Sequence, residues 1–208
     1  MMSGSVIRDR SEFLGHLQSQ LEGFTPGSDV RARASRRLIL ERISLAPLHS
    51  SSPLDRASFE PGHITGSAIV LSPDRQEALL VFHRRLRKWL QPGGHVEAVD
   101  SSILDTVLRE AAEETGARLD RSWSPRLINA DVHAIPAYRE EPAHLHFDLV
   151  YLLRAASKVL GPVDEDTRAA WFPLIDPPEP DTALASSFRR SSREGSENRK
   201  GVESHGCP

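Results

Sequence analysis

The stretch that decides the fold is GGHVEAVDSSILDTVLREAAEETGA, which runs from Gly93 to Ala117. Its second half predicts an α-helix over Ser102 to Thr115, because apolar residues recur at helical spacing on one side: Ile103, Leu104, Val107, Leu108, Ala111 and Ala112. Ser102 and Asp105 resemble a capping box at the start of this helix. Gly116 suits its end, because glycine readily adopts the left-handed conformation that closes helices. We expect the apolar side to pack against a sheet.

The other side of this helix carries three glutamates, Glu110, Glu113 and Glu114. Side chains at these spacings are neighbours on a helix surface, so like charges there cost roughly a few tenths of a kcal/mol per pair. The three also lie toward the helix C-terminus, where the helix dipole disfavours negative charge. A solvated acidic face is one interpretation of this pattern. The other is a divalent cation site, because Mg²⁺ binds carboxylate oxygens together with phosphate oxygens of a substrate.

The whole stretch resembles the Nudix box, whose pattern is Gly, five residues, Glu, seven residues, then Arg-Glu-apolar-x-Glu-Glu-x-Gly-apolar. The second half of the pattern is matched without gaps by Arg109, Glu110, Ala111, Glu113, Glu114, Gly116 and Ala117. In the first half, counted from Gly94, Asp100 stands in the place of the first glutamate, and eight residues separate it from Arg109. We interpret this as one extra residue in the loop before the helix. Asp100 or Glu97 would then support the loop structure.

The resemblance implies a fold and a reaction. The fold is the Nudix-type α/β/α sandwich, of the α/β (α+β) class with a mixed sheet, here with an N-terminal helical extension. The reaction is metal-dependent hydrolysis of a phosphoanhydride bond in a nucleoside diphosphate-linked or related pyrophosphate substrate, with an activated water attacking phosphorus. The sequence downstream of the box does not select one substrate.

The resemblance also implies site residues. Mg²⁺ or Mn²⁺ would be held by the helix carboxylates and a loop carbonyl, namely Glu110, Glu113, Glu114 and Gly94 (or Gly93). Arg109 would orient a glutamate of the same helix. Either Glu113 or Glu110 would act as the general base, because members of the family differ in which glutamate takes that role.

Outside the box, the chain predicts two helices, a hairpin and two further strands. One helix follows Ser11 as its N-cap and a second runs from about Ser28 to Ser44; the strands cover Ile64–Leu71, Ala78–Phe82, Arg126–Ala134 and Leu145–Leu153. We expect an N-terminal helical extension over 1–52, a Nudix domain over 53–180 and a disordered tail over 181–208, because the polar tail cannot bury a core. The N-terminal helices would either cap the sheet or form a homodimer interface.

Two polar segments are further candidates for substrate binding. Arg87 and Lys88 end a cationic run that would either contact phosphates or form a solvated hairpin end. His144, His146 and Asp148 alternate along a predicted strand, so their side chains share one face. That face would either line the substrate pocket or form a metal site of two histidines and one carboxylate.

Composition narrows the function classes. The 208 residues carry a formal net charge of -3, without the strong basic balance that binding to a nucleic-acid polymer favours. The partner that the resemblance implies is a small nucleotide-like diphosphate. Charged residues close to the N-terminus argue against a signal peptide, and no apolar run is long enough to cross a bilayer. We therefore expect a cytoplasmic protein without a membrane partner. An isomerase of isopentenyl diphosphate type would need an active-site cysteine, and the one cysteine, Cys207, lies in the tail. The alternative to the hydrolase is a non-catalytic Nudix-fold ligand-sensing module, although such modules usually lose box glutamates.

Overall fold

A computed structural model describes residues 10–163 and 167–175. Within these ranges the chain forms three α-helices, one 3₁₀-helix and eight strands, so the predicted α+β class is confirmed. The helices are α1 (Arg10–Gly23), α2 (Val30–Ser44) and α3 (Ile103–Thr115), and the 3₁₀-helix covers Ala46–Leu48. The strands are β1 (Gly62–Leu71), β2 (Glu77–His83), β3 (Lys88–Leu90), β4 (Gly93–His95), β5 (Ala117–Leu119), β6 (Arg126–Ile135), β7 (His144–Leu160) and β8 (Ala169–Pro173).

The described strands join in one sheet, with β3, β2, β1, β7 and β5 as its hydrogen-bonded path. Strand β4 pairs with β1, β6 pairs with β7, and β8 pairs with β2. The predicted hairpin is confirmed: β1 and β2 are antiparallel, with Val70 opposite Leu79. Strand β2 is also antiparallel to β3 and β8, and β5 is antiparallel to β7.

The chain forms two compact units. Of the described residues, the first unit contains 10–66, 94–109 and 130–149, and the second contains 67–93, 110–129, 150–163 and 167–175. The core of the second unit consists of buried aliphatic side chains from its strands, which are Ile69, Leu71, Ala78, Leu80, Ile128, Val150 and Leu152. Trp89 and Phe172 pack against this cluster with their ring centroids 4.9 Å apart.

In the first unit, helix α2 is attached to two strands. Arg42, which is buried, donates from Nε to the carbonyl of Gly62 at 3.2 Å, at the start of β1. The backbone N–H of Val132 in β6 donates to Ser35 Oγ at 3.0 Å. Arg31 forms an ion pair with Asp131 at 2.8 Å. These contacts show how α2 packs in this unit, while the homodimer role of the N-terminal helices stays a prediction.

The structure corrects several local predictions. Ser11 lies inside α1, so its predicted N-cap role is wrong. Helix α2 begins two residues later than expected, because Asp29 caps it and accepts the N–H of Ala32 at 3.0 Å. Strand β7 continues to Leu160, well beyond the expected end at Leu153. The three-residue strands were not predicted, since so short a segment shows no alternation of apolar and polar residues.

Two further points concern the predicted tail and the possibility of a membrane-spanning helix. The expected disordered tail over 181–208, with Cys207, lies outside the described residues. Each helix within residues 10–163 and 167–175 is too short or too polar to span a lipid bilayer.

Candidate functional site

The loop before α3 is fixed by Asp100, which lies at the position of the first glutamate of the box. Its carboxylate accepts hydrogen bonds from the N–H of Glu97 and the hydroxyl of Thr106, each at 2.9 Å. Arg109 donates to the same carboxylate from Nε at 3.1 Å and from Nη2 at 2.9 Å. Asp100 is only 8% exposed, whereas the side chain of Glu97 is 61% exposed and 3.8 Å from Arg109. Of the two residues that the sequence offered for loop support, Asp100 therefore makes the buried contacts.

The charge of Asp100 is favoured by these partners. Burial alone would raise the pKa of its carboxyl group, but the hydrogen bonds from Arg109, Glu97 and Thr106 outweigh burial and lower the pKa. Arg109 also donates from Nη2 to the carbonyl of His95 at 2.9 Å. The guanidinium group thus links the first helical turns of α3 to two points of the preceding loop.

Helix α3 begins with a variant of the predicted capping box. The N–H of Asp105 donates to Ser102 Oγ at 3.2 Å, as a capping box requires. The return bond is displaced by one residue, because the Asp105 carboxylate accepts the N–H of Ser101 at 3.0 Å and also the Ser101 hydroxyl. The carboxylate of Asp105 therefore bonds to Ser101, one residue before the position that a standard capping box uses. Helix α3 ends at Thr115, and Gly116 has a φ of 63°, as its predicted terminating role requires.

The three glutamates of α3 lie in the second unit and differ in exposure. Glu113 is exposed, whereas Glu110 and Glu114 are partly buried. Glu114 Oε2 accepts the backbone N–H of Gly93 at 2.9 Å. Burial, and then the charges of Glu110 and Glu113, raise the pKa of Glu114 to about 7 despite that hydrogen bond. An ionised Glu114 is therefore undercompensated by its surroundings, which is the state that a bound cation would relieve.

The remaining residues of the predicted box and hairpin lie as follows. Gly94 occupies the middle of β4 in the first unit. Arg87 and Lys88 are exposed, in the turn and at the first position of β3 in the second unit. Arg87 has a φ of 53°, which is uncommon for a residue with a side chain and marks a tight turn.

Five of the nine histidines of the chain come together in the first unit. We call them the histidine cluster: His63, His95, His133, His144 and His146. The ring centroid of His63 lies 4.8 Å from that of His146, 4.9 Å from that of His144 and 4.9 Å from that of His95. His146 also lies near His133, with 5.6 Å between their ring centroids. The predicted common face of β7 therefore exists, but other strands contribute most of its histidines.

Most rings of the cluster favour the neutral form. Burial, and then the neighbouring His95, lower the pKa of His63 to about 4. Burial also lowers the pKa of His95 to about 4. For His146, burial followed by the charges of the other four rings lowers the pKa to about 2. These three side chains are therefore unprotonated at neutral pH and keep a nitrogen lone pair available.

His133 and Asp148 have different surroundings. Burial would lower the pKa of His133, but its 2.9 Å contact with Asp131, and the charges of Asp148 and Asp131, raise it overall. Asp148 is buried and accepts the hydroxyl of Thr65 at 2.9 Å. Ring nitrogens of His144 and His146 lie within 4.8 Å of one of His63. The expected role of His144, His146 and Asp148 in the site stays a prediction.

A cavity of about 530 Å³ borders this cluster within the first unit. Its lining includes Phe59, Pro61, Ile135, His144 and Leu145. Because His144 belongs to both the lining and the histidine cluster, the cavity gives small molecules access to one edge of the cluster.

Sequence reasoning missed His63, His95 and His133. Their separation along the chain hides the cluster, because β1, β4 and β6 bring them beside β7 only in the folded unit. One signal was present in the sequence. His63 and His133 each lie beside a short apolar stretch, where an isolated polar residue requires a partner.

The comparisons with known proteins agree with the family that the box resembles. The NUDIX domain family model matches residues 62–191. Over 112 residues the chain is 36% identical to the Xenopus laevis protein named "m7GpppN-mRNA hydrolase NUDT17", covering 47% of this chain and 36% of that protein. Over 109 residues it is 33% identical to the "Probable DHNTP pyrophosphohydrolase" of Lactococcus lactis subsp. cremoris (strain MG1363), covering 51% of this chain and 63% of that protein. The chain thus spans less than two thirds of the length of either curated relative.

Solved structures were also similar to this chain. The MutT Nudix hydrolase of Burkholderia pseudomallei is 26% identical with a TM-score of 0.48, covering 61% of this chain and 95% of that one. A Nudix-family hydrolase of Clostridium perfringens is 18% identical with a TM-score of 0.45, covering 64% of this chain and 97% of that one. The family model covers more than half of the 208 residues, including the complete box and the strands around it. The chain therefore belongs to the Nudix family.

Proposed function

We propose that this chain is a divalent-metal-dependent hydrolase that cleaves a phosphoanhydride bond in a nucleoside diphosphate-linked or related pyrophosphate substrate. The observation that carries the proposal is the state of Glu114. Its carboxylate is partly buried beside the charges of Glu110 and Glu113, and these conditions raise its pKa to about 7. Neighbouring carboxylates on one helix repel each other, and a bound divalent cation would offset that repulsion.

The residues present fit Mg²⁺ or Mn²⁺. Glu110, Glu113 and Glu114 offer hard oxygen ligands, which both ions prefer, and the family pattern adds the carbonyl of Gly94. A divalent ion held by these residues would lower the pKa of a bound water and would neutralise charge on the phosphoryl group.

The protein itself supplies proton transfer and positioning. Glu113, which is exposed, or Glu110 removes a proton from the attacking water. Arg109 contributes by fixing the loop through Asp100 and, in the family pattern, by orienting a glutamate of α3. The Gly93 N–H holds one oxygen of Glu114, which leaves the other oxygen for a cation.

The substrate class follows from the family and from the surface charges. The two curated relatives are named for hydrolysis of m7GpppN-mRNA and for pyrophosphohydrolysis of DHNTP, so we infer a substrate that contains a phosphoanhydride. Exposed Arg87 and Lys88 would contact its phosphates. For His144, His146 and Asp148 of β7, contact with the substrate stays a prediction. We place the reaction in the cytoplasm.

A substrate panel tests the proposal. The purified chain is incubated with nucleoside diphosphate derivatives and capped dinucleotides, with Mg²⁺ and then with excess EDTA, and release of phosphate or nucleotide is measured. We expect turnover of at least one substrate with Mg²⁺ and its loss with EDTA. The variants Glu113→Gln and Glu110→Gln should each lower kcat by at least about 100-fold. Glu41→Gln, on the exposed side of α2, is the matched control and should leave kcat unchanged.

Three outcomes would contradict the proposal. Turnover that persists in EDTA would exclude the metal dependence. Undiminished activity in both glutamate variants would exclude the α3 site. Metal-dependent binding of a panel member without turnover would identify a ligand-sensing module instead.

A further inference from the structure

We propose that His63, His144 and His146 form a second metal site, which binds a transition-metal ion of the Zn²⁺ type through three imidazole nitrogens. One ligand atom from each of the three side chains lies within 4.8 Å of the others. All three residues belong to the first unit, and the site uses none of the α3 carboxylates. The inference does not depend on the proposed hydrolysis.

Two of the three rings are already oriented as metal ligands. Nδ1 of His63 lies 3.3 Å from the carbonyl oxygen of Ser58, and Nδ1 of His144 lies 2.8 Å from that of Pro142. A carbonyl oxygen only accepts, so both Nδ1 atoms carry the proton and both Nε2 atoms keep their lone pair. Histidines that bind metals commonly donate their other ring N–H to a carbonyl or carboxylate in this manner, which fixes the ring and its tautomer.

His63 gives an independent indication of a ligand. The residue is 1% exposed, and its buried Nε2 atom has no hydrogen-bond partner among the described residues. A buried polar atom without a partner costs roughly 1–3 kcal/mol, so such atoms are rare in folded proteins. The neighbouring ring of His144 also carries its proton on Nδ1, so its Nε2 cannot donate to this atom. A metal ion would satisfy the lone pair of this atom.

The three nitrogens need a modest contraction to bind one ion. Zn–N bonds of about 2.0–2.1 Å in a tetrahedral site place the ligand atoms about 3.3 Å apart. The ring of His146 can supply the movement, because it is only partly buried, whereas His63 and His144 are buried. Three protein ligands would leave one tetrahedral position for water or a ligand oxygen. Imidazole ligands favour Zn²⁺, Ni²⁺, Cu²⁺ or Fe²⁺ over Mg²⁺, which prefers oxygen.

Both acidic and basic side chains lie around the site, and the basic ones determine which other ligand could bind there in place of a metal ion. Asp148, bonded to Thr65, provides a buried negative charge on the same strand. His133 is held by Asp131, which also pairs with Arg31. Arg56 acts on His63 and His95 as a positive charge, and its exposed side chain lies 3.8 Å from Glu141. An arginine beside histidines also suits an anion, so inorganic phosphate is the alternative to be tested.

Metal titration of the full chain tests the proposal. The protein is stripped with EDTA, transferred to metal-free buffer and titrated with Zn²⁺ against a chromophoric chelator, and a parallel titration with Co²⁺ is followed by visible absorption. We expect one equivalent of Zn²⁺ to bind, and intense Co²⁺ bands of a tetrahedral site. His146→Gln and His144→Gln should weaken Zn²⁺ binding by at least about 10-fold.

Matched variants separate a local loss from misfolding and from the α3 site. His16→Gln changes an exposed histidine of α1, and Glu113→Gln changes the proposed Mg²⁺ site; both should keep full Zn²⁺ affinity. Melting of each metal-free variant checks folding, and His146→Gln is the most informative variant because this residue is the least buried of the three. Zn²⁺ should raise the melting temperature of the wild type but not that of His146→Gln.

The proposal is overturned by any of three results. One such result is a titration in which Zn²⁺ does not saturate at one equivalent, or binds equally well to folded His144→Gln and His146→Gln. Zn²⁺ binding lost in Glu113→Gln would place the ion at the helix glutamates. Inorganic phosphate that binds the metal-free protein, and binds less well to His146→Gln, would identify an anion site in place of the metal site.

Discussion

Arg109 Nη2 lies 2.9 Å from Asp100 Oδ2. Asp100 belongs to the half of the box that departs from the family pattern, and Arg109 is the first residue of the half that matches it without gaps, so this ion pair joins the two halves. The side chain of Arg109 is 15% exposed and that of Asp100 is 3% exposed. The extra loop residue therefore does not remove the acidic support of the loop. A shorter carboxylate at position 100 still meets the arginine that begins the helical half of the box.

Replacement of this carboxylate should be costly. Asp100→Asn keeps the shape of the side chain but removes the buried negative charge that Arg109 contacts. We expect the free energy of unfolding to fall by about 2–4 kcal/mol, measured by urea denaturation. Glu97→Gln is the control, because an exposed ion pair contributes at most about 1 kcal/mol. Equal losses in the two variants would show that Asp100 has no special role in the loop.

The raised pKa of Glu114 predicts an unusual pH dependence of stability. The folded pKa of about 7 exceeds the ordinary value of 4.5, so the folded protein holds an extra proton between these values. Its contribution is complete below pH 4.5 and is lost as the pH rises through 7. In EDTA, Glu114→Gln should therefore gain stability relative to the wild type as the pH rises from 5 to 8, by on the order of 2–3 kcal/mol.

The control for this measurement is Glu41→Gln, which removes one exposed carboxylate of α2 and leaves Glu114 in place. Denaturant unfolding at several pH values gives both differences. A Glu114→Gln difference that is constant over this range would mean that the Glu114 carboxylate titrates normally.

The stability of the C-terminal end of α3 should depend on glycine at position 116. Gly116 has a φ of 63°, and a Cβ added there would overlap the carbonyl oxygen of Gly161. Gly116→Ala should therefore lower the free energy of unfolding by about 1–3 kcal/mol. Gly15→Ala is the matched control: it lies within α1 with no atom within 4 Å of the added Cβ, and should add about 0.5–1 kcal/mol. Thermal denaturation would contradict us if both changes had the same sign.

Close packing of α3 on β1 gives a further prediction. An added Cβ at Gly66 would lie 2.7 Å from Val107 Cγ2 and 3.1 Å from Ile103 Cδ1. Gly66→Ala should cost about 1–3 kcal/mol of stability through overpacking. The double variant with Val107→Ala should lose less than the sum of the two single variants, because the smaller side chain leaves room for the methyl group. Strict additivity in urea denaturation would mean that the two positions do not contact.

The sequence predicted the family and the main elements, and could do so for physical reasons. The box helix has a strong apolar stripe and clear terminating residues, and it occurs within one residue of the expected range. The hairpin was visible because β1 and β2 are apolar and separated by a Ser-Pro-Asp turn. The family assignment from the box is confirmed by the family model. The roles of Glu110, Glu113 and Glu114 stay predictions.

What the sequence could not predict depends on distant pairing. The place of Asp100 was ambiguous, because one inserted residue leaves two acidic candidates, and only burial separates them. The histidine cluster was invisible for a similar reason. His144 and His146 could be placed on one face of a strand, but β7 had to be positioned beside β1 before His63 became their neighbour. Local periodicity carries no such information.

The partial burial of Glu114 beside Glu110 and Glu113 has a consequence for the chemistry of ligand uptake. A carboxyl group with a pKa of about 7 is roughly half protonated in a neutral solution. Any cation that takes its free oxygen must first displace that proton, so uptake becomes an exchange of one ion for another. The enthalpy of cation binding should then depend on the ionisation enthalpy of the buffer. The apparent affinity for the cation should rise with pH until Glu114 is fully ionised.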